Sequence, residues 1–166
     1  MTAATNSPII YSIGHSDHEP ETFVALLQRH GITTLADVRS QPYSRWVPHF
    51  NRETLVQSLT EAGLTYLFMG DTLGGRPSDD TQEADEHPNY DLIAATPGFQ
   101  AGVGQLLELA RTNTVAMMCS EGDHRRCHRA LLVTPELLAR DARVIHIRPD
   151  GDTVEAHPEL KQLTLF

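Results

Sequence analysis

The segment TVAMMCSEGDHRRCHRALL, residues 114–132, gathers both cysteines of the chain, Cys119 and Cys127, with His124, His128, Arg125, Arg126 and Arg129. An apolar run leads into it and a helical pattern leads out. Cys119 therefore falls where a strand gives way to a loop and a helix. Guanidinium groups and helix N-terminal amides lower a thiol pKa, and the thiolate is the reactive form of cysteine. Cys119 is a candidate nucleophile, with Glu121 and His128 as acid–base partners. The other reading is a buried strand-end thiol without chemistry, because free cysteine packs as a small hydrophobe. The interval from Cys119 to Arg125 also fits loops in which backbone N–H groups and one arginine hold an oxyanion. Glu121 and Asp123 oppose a dianion there.

The same segment offers two sulfurs and two nitrogens, from Cys119, His124, Cys127 and His128, a donor set that suits zinc. The spacing is that of neither a finger nor a ribbon, adjacent Cys127 and His128 diverge, and three arginines repel a cation. No cofactor is predicted, and zinc on this set is the alternative. Arg129 can grip a carboxylate or phosphate bidentately, or pair with Glu121 or Asp37 and hold the loop.

A second group lies in ADVRSQPYSR, residues 36–45. Asp37 and Arg39 stand one pleat apart, so their side chains leave the same face of a strand. Asp37 is a candidate base and equally a partner for Arg39, Arg45 or Arg129. Tyr43, Ser44 and Arg45 add donors, and Trp46 and Phe50 add flat surfaces for a ring to stack on or for the loop to pack against. Further along and earlier in the chain, Gly74 and Gly75 and the turn at His15 and Ser16 allow a ligand close to the main chain.

These residues need a scaffold that brings them together, and the pattern supplies one. Strands are expected at 9–13, at 32–38, in LTYLF, in TVAMMCS and in RVIHI. Helices are expected between them, with Pro20 in a first turn, Asn51 and Thr96 as N-caps, and Gly31 and Gly63 as stops. Alternation of this kind predicts an α/β fold: a mostly parallel central sheet with helices on both faces, a Rossmann-like three-layer sandwich. Residues 1–155 are read as one domain and 156–166 as a tail. The acidic stretch at 79–91 is read as a mobile loop or lid. Ligands bind such sheets beyond the strand carboxyl ends, where His15, Asp37, Gly74 and Cys119 all fall.

The 166 residues can bury a core without metal or disulfide, and 13 basic against 22 acidic residues exclude a general nucleic-acid-coating surface while leaving room for a local basic pocket. The amino terminus has no basic, apolar leader and no run spans a membrane, so a cytoplasmic protein with reduced cysteines is expected.

YSIGHS, ADVRSQPYSR with PHF, LGG, and CSE followed by CHR resemble, in order, the motifs of the domain-of-unknown-function (DUF) 488 family. The resemblance implies a working set of Gly14, His15, Ser16, Asp37, Arg39, Pro42, Ser44, Arg45, Gly74, Gly75, Cys119, Glu121, Cys127, His128 and Arg129. It implies no reaction. Separately, the terminal QLTLF is similar to peptides that dock on the bacterial DNA sliding clamp, with Gln162, Leu163, Leu165 and Phe166 as contacts. The expectation is an enzyme acting on a nucleotide or nucleic-acid-related anionic ligand and recruited to DNA repair or replication through that tail. A non-catalytic nucleotide or modified-base binding module and a metal-dependent hydrolase are the alternatives.

Overall fold

The computed structural model describes residues 7–74, 90–121 and 132–157. The chain opens with β1 (Ile9–Gly14) and α1 (Pro20–Arg29), whose first residue is proline and whose buried face is Phe23, Leu26 and Leu27. Gly31, at φ 72°, turns the chain out of the helix in the left-handed region. Next come β2 (Thr34–Asp37), a 3-10 turn at Pro48–Phe50 and α2 (Arg52–Glu61), which buries Leu55 and Leu59. β3 (Thr65–Phe68) runs directly into the short α3 (Gly70–Leu73). After α4 (Tyr90–Ala94) comes α5 (Pro97–Leu109), where the Thr96 hydroxyl accepts the Phe99 N–H as a cap should. β4 (Val115–Cys119), α6 (Thr134–Ala139), β5 (Arg143–Ile147) and β6 (Thr153–Glu155) complete the described elements.

The strands form one sheet in the order β3-β2-β4-β1-β5-β6. The first five are parallel and β6 is antiparallel to β5. The fold is the expected α/β sandwich. Its order exchanges β1 and β4 relative to the 3-2-1-4-5-6 arrangement of dinucleotide-binding sheets. Two differences from the sequence reading concern short elements. β6 has only three residues with no buried pleat, and α3 is one helical turn between the β3 strand and Gly74.

Alternation along the strands divides the core in two. Ile10, Ala36, Val115 and Val144 pack with α5, α6 and α3, through Phe99, Val103, Leu106, Leu137 and Leu73. Ile13, Leu35, Ala116, Met118 and Ile147 pack with α1, α2 and Phe50. Each face of a buried parallel sheet needs such a cover. No helix among the described residues is long and apolar enough to cross a membrane.

Candidate functional site

Because the strands from β3 to β5 are parallel, their carboxyl ends share one edge. Hydrogen bonds beyond the ladder tie those ends together: His15 N–H donates to Cys119 O and Ser16 N–H to Ser120 O (2.9 Å each), Val38 N–H to Met118 O (3.0 Å), and Met69 N–H to Asp37 O (2.8 Å). The residues that follow the strands are thus fixed in relative position by backbone.

On the α1/α2 face, Asp37 is fully buried and Arg39 is 5% exposed. Arg39 donates to Asp37 from its backbone N–H (3.1 Å), Nε (2.9 Å) and Nη2 (2.8 Å), and the Tyr66 hydroxyl donates to Oδ2 at 2.5 Å. Both carboxylate oxygens therefore receive two donors. Burial, then the Asp37 carboxylate, raise the Tyr66 pKa, so the phenol stays protonated as a donor. Gly70 lies under this pair: a Cβ there would collide with the Arg39 carbonyl oxygen and come within 2.6 Å of Phe68 Cζ. Asp37 and Arg39 do come together as predicted. Their geometry is that of a closed ion pair, with Tyr66 as a member that β2–β3 pairing alone supplies.

His15 occupies the same face and is in the opposite condition. It is 3% exposed and stacks on Phe50, with ring centroids 4.6 Å apart. Its Nδ1 donates to the Ser16 carbonyl oxygen at 2.8 Å, which leaves Nε2 as the lone-pair nitrogen. Ser16 reaches that position through a left-handed backbone, φ 50°, a conformation that costs a non-glycine residue free energy. His15 Nε2 is buried and has no hydrogen-bond partner among the described residues. Burial lowers its pKa from 6.5 to about 4, assisted by Arg39 and opposed by the Ser16 carbonyl and Asp37. The imidazole is therefore a neutral base near pH 7. His18 Nε2 is likewise buried without a partner among the described residues. The histidine next to Phe50, His49, places Nε2 on the His18 carbonyl oxygen at 3.0 Å.

The loop between β2 and α2 reaches the site through Phe50. Its shape is built from side-chain bonds to backbone. Ser44 Oγ accepts the N–H groups of Trp46 (3.0 Å) and Val47 (3.4 Å), and Asn51 Oδ1 accepts Ser44 N–H at 2.6 Å. Asn51 stands at the start of α2 as expected, but its side chain closes the loop and makes no cap bond to the helix. Ser44 is thus occupied with loop shape. Arg45 and Trp46 project from the loop, the ring 83% exposed.

Cys119 does not join this group. It is 2% exposed and packs with Val38 and Leu132 in the α5/α6 core. Strand alternation sends its side chain to the face opposite His15 and Asp37, so these three residues do not share one face of the sheet. Cys119 is also disulfide-bonded, which corrects the expectation of reduced cysteines. Glu121 is exposed at the end of the described β4 exit. On the Cys119 face, Ser12 Oγ and His146 Nδ1 are 2.5 Å apart between neighbouring strands, both buried. Sequence reasoning missed this pair. Its signal was a polar residue at a core-facing position in each of two apolar strands.

Gly74 is buried, and a Cβ there would meet Ser40 Oγ and lie 2.6 Å from the Gly70 carbonyl. Its small size serves packing against the protein itself. Gly75, His124, Arg125, Cys127, His128, Arg129, nearly all of the acidic stretch at 79–91, and the tail with Gln162, Leu163, Leu165 and Phe166 lie outside the described residues. Among the described residues no group of three or more His, Cys, Asp or Glu side chains is placed to hold a metal ion. A cavity of about 820 Å³ lies at the other end of the sheet, bordered by Pro8, Tyr11, Leu107, Arg111 and Arg140. Arg140 there is engaged by the Gln100 carbonyl and side-chain oxygens.

The family model described as "Domain of unknown function DUF488" matches residues 19–134, more than half of the chain. No curated protein and no solved structure matches the chain.

Proposed function

The chain belongs to the DUF488 family, whose description specifies no reaction, and from the site geometry we propose an enzyme that performs hydrolysis or group transfer on a nucleotide-related anionic ligand, with His15 as its base. The supporting observation is the orphaned, buried Nε2 of His15 beside Asp37 and Arg39. A buried polar atom without a partner calls for an explanation, and a ligand or water O–H is the group that a lone-pair nitrogen accepts. In the proposed step, an oxygen nucleophile forms a bond to the reacting centre as its proton passes to Nε2. The bond to the leaving oxygen breaks and the same proton returns to that oxygen. The Ser16 carbonyl holds Nδ1–H throughout and stabilises the transient imidazolium.

Asp37, Arg39 and Tyr66 are positioning residues in this reading. Arg45 and Arg52 supply positive charge for the anion. Thiol chemistry at Cys119, on the α5/α6 face, requires reduction of its disulfide first, so Cys119 enters as a second candidate, with Glu121, His128 and Arg129 proposed as its partners from the sequence. The tail beginning at Gln162 is proposed to recruit the enzyme to a DNA sliding clamp, raising local concentration for a chain of net charge −9.

The test incubates the wild type and His15→Gln with nucleotides and short oligonucleotides and reads products by mass. Product that falls at least ~100-fold in the variant, with an acid limb near pH 4, supports the base. Binding without product in the wild type would sink the enzyme reading and leave the binding module. Equal turnover by the variant would remove His15 from the chemistry.

A further inference from the structure

The Trp46 ring is 83% exposed and Tyr43 is 56% exposed, on a loop whose backbone is fixed by three side-chain hydrogen bonds. A large aromatic ring held in water on an ordered loop is a preorganised contact surface. Its neighbours define the chemistry. The Arg45 guanidinium carbon lies 5.9 Å from the Trp46 ring centroid, and that of Arg52 lies 4.5 Å above the Phe68 ring. Neither arginine forms an ion pair among the described residues. Glu53 accepts the Tyr43 hydroxyl at 3.1 Å, so its carboxylate is engaged by the phenol and the arginines are the groups that suit phosphate. Aromatic faces interleaved with arginines stack bases and track a sugar–phosphate backbone.

We propose that the loop carrying Tyr43, Arg45 and Trp46, together with Arg52, is a binding platform for single-stranded nucleic acid, with an unpaired base stacked on Trp46. This deepens the proposed function and rests on it, because the loop meets the candidate base through the Phe50–His15 stack. A paired base keeps its faces inside the duplex, so the platform selects unpaired ends. The patch is local, and the acidic remainder of the chain repels nucleic acid elsewhere.

Trp46 is the single tryptophan of the chain, so its fluorescence reports on this ring alone. Pentamers of deoxythymidine and of uridine, a blunt DNA hairpin and a mononucleotide would each be titrated into the full chain. Saturable quenching by a pentamer, and weaker response to hairpin and mononucleotide, is expected. Trp46→Ala should weaken binding of a labelled pentamer roughly ten-fold or more. Arg45→Gln and Arg52→Gln should each lower the salt slope of log Kd by about 0.7. No quenching at millimolar pentamer by folded protein, or pentamer affinity unchanged in Trp46→Ala, overturns the platform. Equal response to hairpin overturns its single-strand selectivity. Quenching without any product leaves the platform standing and removes the catalytic reading. His15-dependent product with silent Trp46 does the reverse.

Discussion

Asp37 ends β2 and His15 follows β1, two strands separated by β4, and both are buried on the same face, yet their polar atoms have opposite fates. Each Asp37 oxygen receives two donors from Arg39 and Tyr66. His15 has one nitrogen engaged by a carbonyl and one with no partner. A saturated buried charge is held for structure, because its lone pairs have nothing left to offer a ligand. An unsaturated buried nitrogen costs stability that a ligand, a bound water or a reaction can offset. The contrast separates two residues that sequence alone places in one list of candidate bases.

The largest test of the contrast is Asp37→Ala. It strands the Arg39 guanidinium in a buried site, and removal of one partner from such a pair costs about 3–5 kcal/mol. Urea denaturation would read the loss. A value below about 1 kcal/mol would mean that the pair behaves as a surface contact and that Asp37 is available for other work.

The pH dependence of His15 comes next. Its native pKa of about 4 lies below the ordinary 6.5, so the unfolded chain takes up a proton that the native site resists. The contribution to stability is full above pH 6.5 and is lost as pH falls to about 4, amounting to about 3 kcal/mol. The unfolding free energy of the wild type, read by urea denaturation, should fall relative to that of His15→Gln by that amount between pH 7 and 4. Parallel pH curves would mean that His15 titrates normally and is not a buried neutral base.

The smallest effect is expected at Trp46. An exposed ring contributes little to folding, so Trp46→Ala should change stability by no more than about 0.5 kcal/mol. A larger loss would make the ring a brace for its loop and blur the distinction between structural and ligand-facing groups.

The order and type of the long elements were legible because apolar periodicity is a local signal. The five parallel strands, the capping Thr96 and the helix stops at Gly31 and Gly63 all followed from it. The sheet order was not legible, since which strands neighbour one another depends on packing between distant segments. That missing order hid the most about the site. Tyr66 reads as an ordinary strand aromatic until β3 lies beside β2. Cys119 and His15 read as one pocket until register places Gly14 opposite Cys119 and their side chains leave opposite faces. Asn51 illustrates a finer limit: its type was right for a helix start, but competition from Ser44 N–H decided where its side chain bonds.

The position of β1 in the sheet bears on how the molecule comes to exist at all. The first strand made is flanked by β4 and β5, and Ser12 meets His146 across 134 residues. At ~5–20 residues per second of translation, β1 waits roughly 7–27 s for its second neighbour. The βαβ unit of β2 and β3 is complete long before then. A nascent chain therefore carries an apolar strand with both edges open while a third of its future sheet, β2 and β3, is already assembled. Pairings so distant in sequence slow the final closure. Yield of folded protein in the cell is thus set by how well that strand is shielded during synthesis as much as by the stability of the finished sheet.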